Sequence, residues 1–181
     1  MQGVVRRTQR NAAHTTPSAG GNRMAIMERP VRLPAGTTGL APRDDPALPE
    51  VGAGPFRSAC HAVTRATGMR SVAFPPPDPC TNYRTALLSS YDESVAVLGH
   101  HHYPWVAFAR ADEEVNHSPG FLPPPSWAEH FVWAGFEPLS AEFLSTPTAD
   151  ADLSELLPYE KAQVKVWKPG TIGAIVFNWW G

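Results

Sequence analysis

No aromatic residue precedes Phe56, and all six tryptophans follow position 80. Aromatic side chains bury about 150 to 250 Å² each and dominate core energetics, so a core can only be assembled around the second half of the chain. Of eight Phe, four Tyr and six Trp, only Phe56 and Phe74 come before position 80. The first 54 residues, rich in Pro, Gly, Thr, Ala and Arg, bury too little apolar surface to offset about 1 to 2 kcal/mol of backbone entropy per residue. They are expected to be a disordered basic tail, residues 1–54, ahead of a single domain, residues 55–181. On the same ground Met24 and Met27 are candidate translation starts.

The last thirty residues read as a helix followed by a strand. Leu153, Leu156, Leu157, Val164 and Trp167 recur at helical spacing and form one apolar stripe. Asp152 and Glu155 suit a helix start, Lys165 and Lys168 suit its end, Pro158 kinks or restarts it, and Pro169-Gly170 stops it. The run from Thr171 to Trp180 is apolar on both faces, as a strand covered on both sides would be. Glu160 interrupts the stripe. Either the helix turns at Pro158 and delivers this carboxylate to solvent, or Glu160 is a partly buried group paired with a histidine or an arginine.

Upstream, Ser58 can cap a short helix that Gly68 ends, and residues 72–74 form a short strand before Pro75-Pro76-Pro77. Residues 83–88 and 94–98 predict a hairpin, and residues 104–110 a third strand. Ser126 to Glu129 is a capping-box pattern for a helix closed by Gly135, and residues 139–144 alternate as a fourth strand would. The fold class that follows is α+β, with an antiparallel sheet of four to five strands packed against the C-terminal amphipathic helix.

Net charge is −2, yet the charges are segregated. Residues 1–43 hold seven Arg against Glu28, while residues 111–160 hold ten Asp and Glu with no Lys or Arg. A pI near 6.4 argues against dedicated nucleic-acid binding. No run approaches the roughly 20 apolar residues that span a bilayer, and no signal-peptide pattern follows Met1, so a cytoplasmic location is the expectation. Cys60 and Cys80 fit no C-x-x-C pattern and are expected as free thiols. Twelve Arg against three Lys, with abundant Ala, Gly and Pro, fits a GC-rich bacterial genome.

Three places could carry chemistry. If His100-His101-His102 is extended, His100 and His102 face the same way and could share a ligand or a metal, with His117, His130 or Asp112 to Glu114 as further donors. The alternative is a loop whose imidazoles are solvated or cap backbone groups. Glu160 could act as an acid or base beside them. The acidic, aromatic region is the third: Asp112, Glu113, Glu114, Trp127, Trp133 and Glu160 could present negative potential and aromatic anchors to a basic protein partner. Phosphate-loop, dinucleotide and nucleophile-elbow motifs are absent, and no cofactor or resident metal is expected.

The closing segment KVWKPGTIGAIVFNWW, residues 165–180, resembles the C-terminal segments of small actinobacterial proteins. The resemblance implies no activity, and no catalytic residue is carried over from it. The function expected from the residues is a cytoplasmic protein-binding module with an acidic face, as an immunity protein or a regulator would have. The alternatives are a small metal-assisted or histidine-dependent hydrolase using His100, His102 and Glu160, and a structural protein without a discrete site.

Overall fold

A computed structural model describes residues 30–41, 48–111 and 119–180. Helix α1 (Ala53–Thr67) leads into β1 (Ser71–Ala73), and β2 (Tyr83–Ser89), β3 (Ser94–His100), β4 (Trp105–Arg110) and β5 (Phe121–Leu122) continue a meander in which each strand pairs antiparallel with the next. The expected hairpin is β2 with β3, in register Tyr83↔His100 to Ser89↔Ser94. β3 is buried from Val95 to His100, as its unbroken Val, Ala and Leu sequence requires of a central strand. Helix α2 (Glu129–Trp133) follows a single 3-10 turn, and β6 (Glu137–Pro138) then joins β4 in parallel through Trp105↔Glu137. The fold is therefore α+β, with a mixed sheet of five antiparallel strands and one short parallel addition.

Two apolar clusters close the sheet. One is built from Phe56, Ala59, Cys60 and Val63 of α1 with Ala86, Leu88, Val97, Val106, Phe108 and Phe131. Gly99 belongs to this packing: a Cβ there would lie 2.6 Å from the Phe56 ring, so only glycine lets α1 settle on β3. The other cluster gathers Leu33, Tyr83, Leu98, Ala107, Leu144, Leu156, Ile172, Ile175, Phe177 and Trp180.

The structure departs from the sequence reading in four places. Residues 139–144 are not a strand: the Ser140 hydroxyl accepts the Phe143 N–H at 3.1 Å and starts helix α3 (Ala141–Ser145). The C-terminal helix α4 (Pro158–Trp167) is shorter than expected, because Pro158 occupies its first turn and leaves Leu153 and Leu156 in turns that still reach the core. Thr171 to Trp180 is not a strand either. After an isolated bridge between Thr171 and Pro147 it forms the helical turn α5 (Gly173–Val176), since a run that is apolar on both faces suits a buried helical turn as well as a buried strand.

The fourth departure concerns the boundary of the tail. Leu33, Thr37 and Thr38 are fully buried, and residues 31–33 pair with Asp152 through Asp152 N–H to Val31 O (2.8 Å) and Leu33 N–H to Asp152 O (3.2 Å). Arg32 adds ion pairs to Asp152 and Glu155 at 2.8 and 3.1 Å. The folded body thus includes residues 30–41, and α1 begins at Ala53 with Gly52 as its N-cap, ahead of the Ser58 expected to cap it. Among the described residues no helix is long and apolar enough to cross a membrane.

Candidate functional site

Glu160 is fully buried, and its partners are neither histidine nor arginine. It is the third residue of α4, and one carboxylate oxygen, Oε2, accepts the N–H of Leu157 at 2.9 Å. Leu157 has no side-chain acceptor to return the bond, so only the glutamate half of a capping box forms. The same Oε2 accepts the Gly36 N–H at 2.9 Å, while Oε1 accepts the Thr38 N–H at 2.9 Å and the Thr38 hydroxyl at 2.8 Å. Four donors therefore occupy the four lone-pair positions of one carboxylate. This binds the turn 36–39 to the start of α4. The turn itself needs Gly39 at φ 71°, where an added Cβ would also lie 2.8 Å from Asn82 Cβ.

His100 completes the other side of this turn. Its Nδ1 accepts the N–H groups of His102 (3.0 Å) and Tyr103 (3.1 Å), so the ring proton sits on Nε2, which donates to the Thr37 carbonyl at 2.9 Å. The Asn82 amide nitrogen, 3.2 Å from Nε2, is then a neighbour and not a partner, because both atoms carry hydrogen. Burial pushes the His100 pKa down to about 3, the Thr37 bond opposing and the nearby His102, His101 and Arg84 adding to the fall. Asn82 Nδ2 is shared among the carbonyls of Thr37, Thr38 and Val176, and its Oδ1 accepts the Asn178 N–H at 3.0 Å. Asn178 Nδ2 donates to the neighbouring Ile175 carbonyl at 2.9 Å and to the Thr38 carbonyl at 2.8 Å.

Two of the three groups of the expected hydrolase, His100 and Glu160, are thus consumed by the fold. Both nitrogens of His100 are engaged, both oxygens of Glu160 are engaged, and His102 turns its Nδ1 to the Pro49 carbonyl at 3.0 Å. His100 and His102 are near each other, ring centroids 6.0 Å apart, but steeply inclined at 71°. No cluster of three or more potential metal ligands occurs among the described residues. The expected pairing of Glu160 with a histidine or arginine, its escape to solvent, and its place on a partner-binding face are all corrected by its burial.

Of the remaining partner-binding candidates, Asp112, Glu113 and Glu114, like His117, lie outside the described residues. Trp127 is half-buried and packs edge-on against Phe108, centroids 5.2 Å apart. Trp133 is 70 % exposed, next to Val132 at 55 %, with the His130 ring edge-on at 4.7 Å. Glu129, Glu142 and Asp150 are exposed, whereas Asp152 and Glu155 are partly neutralised by Arg32.

Two concave features were not anticipated. Trp167, Trp179 and Trp180 gather beside Phe121 and Leu144 around a groove of about 400 Å³, the Trp167 ring parallel to Trp180. A second cleft of about 260 Å³ lies at the first turn of α1, with Arg57, Arg84 and His101 in its lining. The paired tryptophans at 179–180 were a visible signal for the first; nothing in local spacing marks the second, since its side chains come from four separate segments. No family model matches the chain, nor does any curated protein or solved structure.

Proposed function

We propose that this chain is a protein-binding module whose exposed α2 region receives a basic partner protein. The observation that carries the reading is Trp133, a large aromatic residue left 70 % exposed beside an exposed Val132. Tryptophan is among the residues most enriched at interaction hot spots. The stretch 111–160 to which it belongs contains no Lys or Arg, and Glu129, Glu142 and Asp150 within it are exposed. Such a surface steers a basic partner toward an aromatic anchor. The hydrolase reading has weaker support, because His100 and Glu160 have no free polar atom to offer a substrate.

The test uses the full chain and its Trp133→Ala variant against an Arg- and Lys-rich amphipathic peptide. Binding is measured by fluorescence anisotropy at about 0.1 M and about 1 M salt, where the screening length falls from about 10 to 3 Å. The expected result is an affinity that drops at high salt and drops again, about tenfold or more, on loss of the indole. Binding that ignores both salt and Trp133 would remove the proposal.

A further inference from the structure

The cleft at the start of α1 combines two features that ordinary packing does not require. The first is unpaired positive charge. Among the described residues only Arg32 has a carboxylate within 4.0 Å, so Arg57 and Arg84, both lining the cleft, have no ion-pair partner there. Arg84 is half-buried in β2, opposite the glycine that admits Phe56, and burial lowers its pKa, with only Glu50 opposing the shift. Arg57 is positioned by a cation–π contact, its guanidinium carbon 4.9 Å from the Phe74 ring centre. Helix α1 adds to the same field: Gly52 supplies no side-chain cap and the first turn holds no acidic residue, so no side chain of the helix neutralises its positive end, and the opposing charge that acts on Arg84 and His101 is that of Glu50, just upstream.

The second feature is a ring-sized apolar slot. Phe74 and Pro75 form its walls above the buried Phe56 ring, and its volume of about 260 Å³ sits just below the range of about 300 to 1,000 Å³ usual for small-molecule sites. His101 lines the slot as a neutral imidazole, its pKa pushed down to about 4 by burial first and by Arg84 next, so it offers a hydrogen bond without charge. Asp78 lies at the same cleft, with Oδ1 accepting the Cys80 N–H at 2.8 Å. Its charge opposes a second negative charge on any occupant.

We propose that this cleft binds a small aromatic monocarboxylate, with its ring against Phe74 and Pro75 over the buried Phe56 and its carboxylate on Arg84 and Arg57. Guanidinium and carboxylate match in planar, bidentate geometry, and a single ring fits within the volume available. The site is separate from the α2 surface and does not depend on the partner-binding reading.

Benzoate, benzamide and phenyl phosphate serve as probes, titrated into the full chain and followed by amide chemical shifts. Benzoate is expected to give saturable shifts at Ala53, Gly54, Phe56, Arg57, Phe74, Asp78 and residues 83–85, with benzamide at least about tenfold weaker for want of the charge. Arg84→Gln should weaken benzoate about tenfold or more, and Arg57→Gln should weaken it less while leaving the fold intact because that side chain is exposed. The Arg57→Gln arm decides the matter if Arg84→Gln fails to fold. Absence of saturation, equal affinity for benzamide, shifts centred instead on the tryptophan groove, or affinity unchanged in Arg57→Gln would each overturn the assignment. Tighter binding of phenyl phosphate than of benzoate would overturn the monocarboxylate class.

Discussion

Phe56, Cys60, Val63, Ala86, Val97, Phe108 and Phe131 close the sheet against α1 and α2 by apolar contact, while the packing that joins β2 and β3 to α4, α5 and residues 33–40 is threaded by a buried polar network. In that network Thr37, Thr38, Asn82, His100, Glu160 and Asn178 satisfy one another and the backbone, and no buried side-chain nitrogen or oxygen among the described residues lacks a partner. Apolar packing tolerates sliding and repacking. A saturated polar network does not, because each misplaced donor carries its own desolvation cost. The difference explains how a segment without one aromatic residue, 30–41, can be part of the folded body: it is held mainly by the backbone bonds it donates and accepts.

The largest effect that could break this contrast is Glu160→Ala. It strands the buried donors Gly36 N–H, Thr38 N–H and the Thr38 hydroxyl together with the Leu157 N–H. At about 1 to 3 kcal/mol for each buried unsatisfied group, the loss should reach at least about 4 kcal/mol in urea unfolding. Hydrogen exchange should accelerate first at Gly36 and Thr38, since the turn is released before the sheet opens. A loss under about 1 kcal/mol would mean that Leu33 and the pairing of residues 31–33 with Asp152 hold the segment without the carboxylate. Phe131→Ala on the apolar side should cost about 3 kcal/mol through its cavity, but without selective exchange at residues 36 and 38. Equal exchange patterns in the two variants would erase the distinction.

Acid should act on the network before it acts on the apolar cluster. His100 takes up a proton near pH 6.5 in the unfolded chain and only near pH 3 in the folded one. Between those values the unfolded state holds more protons, so stability is intact above pH 6.5 and falls as the pH drops, by at most about 1.4 kcal/mol per unit and about 2 kcal/mol by pH 5. His101, whose folded value is near 4, adds a smaller loss of the same sign, reduced by its partial exposure. Denaturant midpoints recorded from pH 7 to 4, with nitrogen shifts reporting the Nε2–H tautomer of His100, would check this. A flat profile across that range would show that the imidazole is not sealed.

What was legible in the sequence follows the same division. The meander was readable because Tyr83 to Arg110 alternates or runs apolar at strand lengths, and short-range pairing needs no distant information. The free thiols Cys60 and Cys80 were also readable. Residues 30–41 and the role of Glu160 were not, because their bonds span 122 and 124 positions and involve backbone groups that leave no trace in side-chain pattern. The helical wheel marked Glu160 as anomalous without supplying its partners. The histidine run drew attention for its residue type, yet position at the end of a buried central strand makes His100 a backbone-satisfying core residue. Trp127 and Trp133 both read as aromatic anchors in the sequence, and only the packing separates them: Phe131 turns inward and leaves the Trp133 indole outside, while Trp127 is half-buried against Phe108.

The smallest effect gives the finest measure of the network. Thr38→Val preserves the shape of the side chain and removes one of the four donors to Glu160, the hydroxyl at 2.8 Å, while leaving the Thr38 N–H at 2.9 Å in place. It also removes the acceptor that the Leu40 N–H uses at 3.3 Å. The carboxylate keeps three donors, so no charge is abandoned, and the expected cost is about 1 kcal/mol. In a double-mutant cycle with Glu160→Ala, the Thr38→Val effect should shrink toward the residue of the Leu40 contact, because the hydroxyl has then already lost its acceptor. Strict additivity of the two substitutions would show that Thr38 is held by its burial alone, and the turn would then be as loosely specified as the apolar cluster on the other side of the sheet.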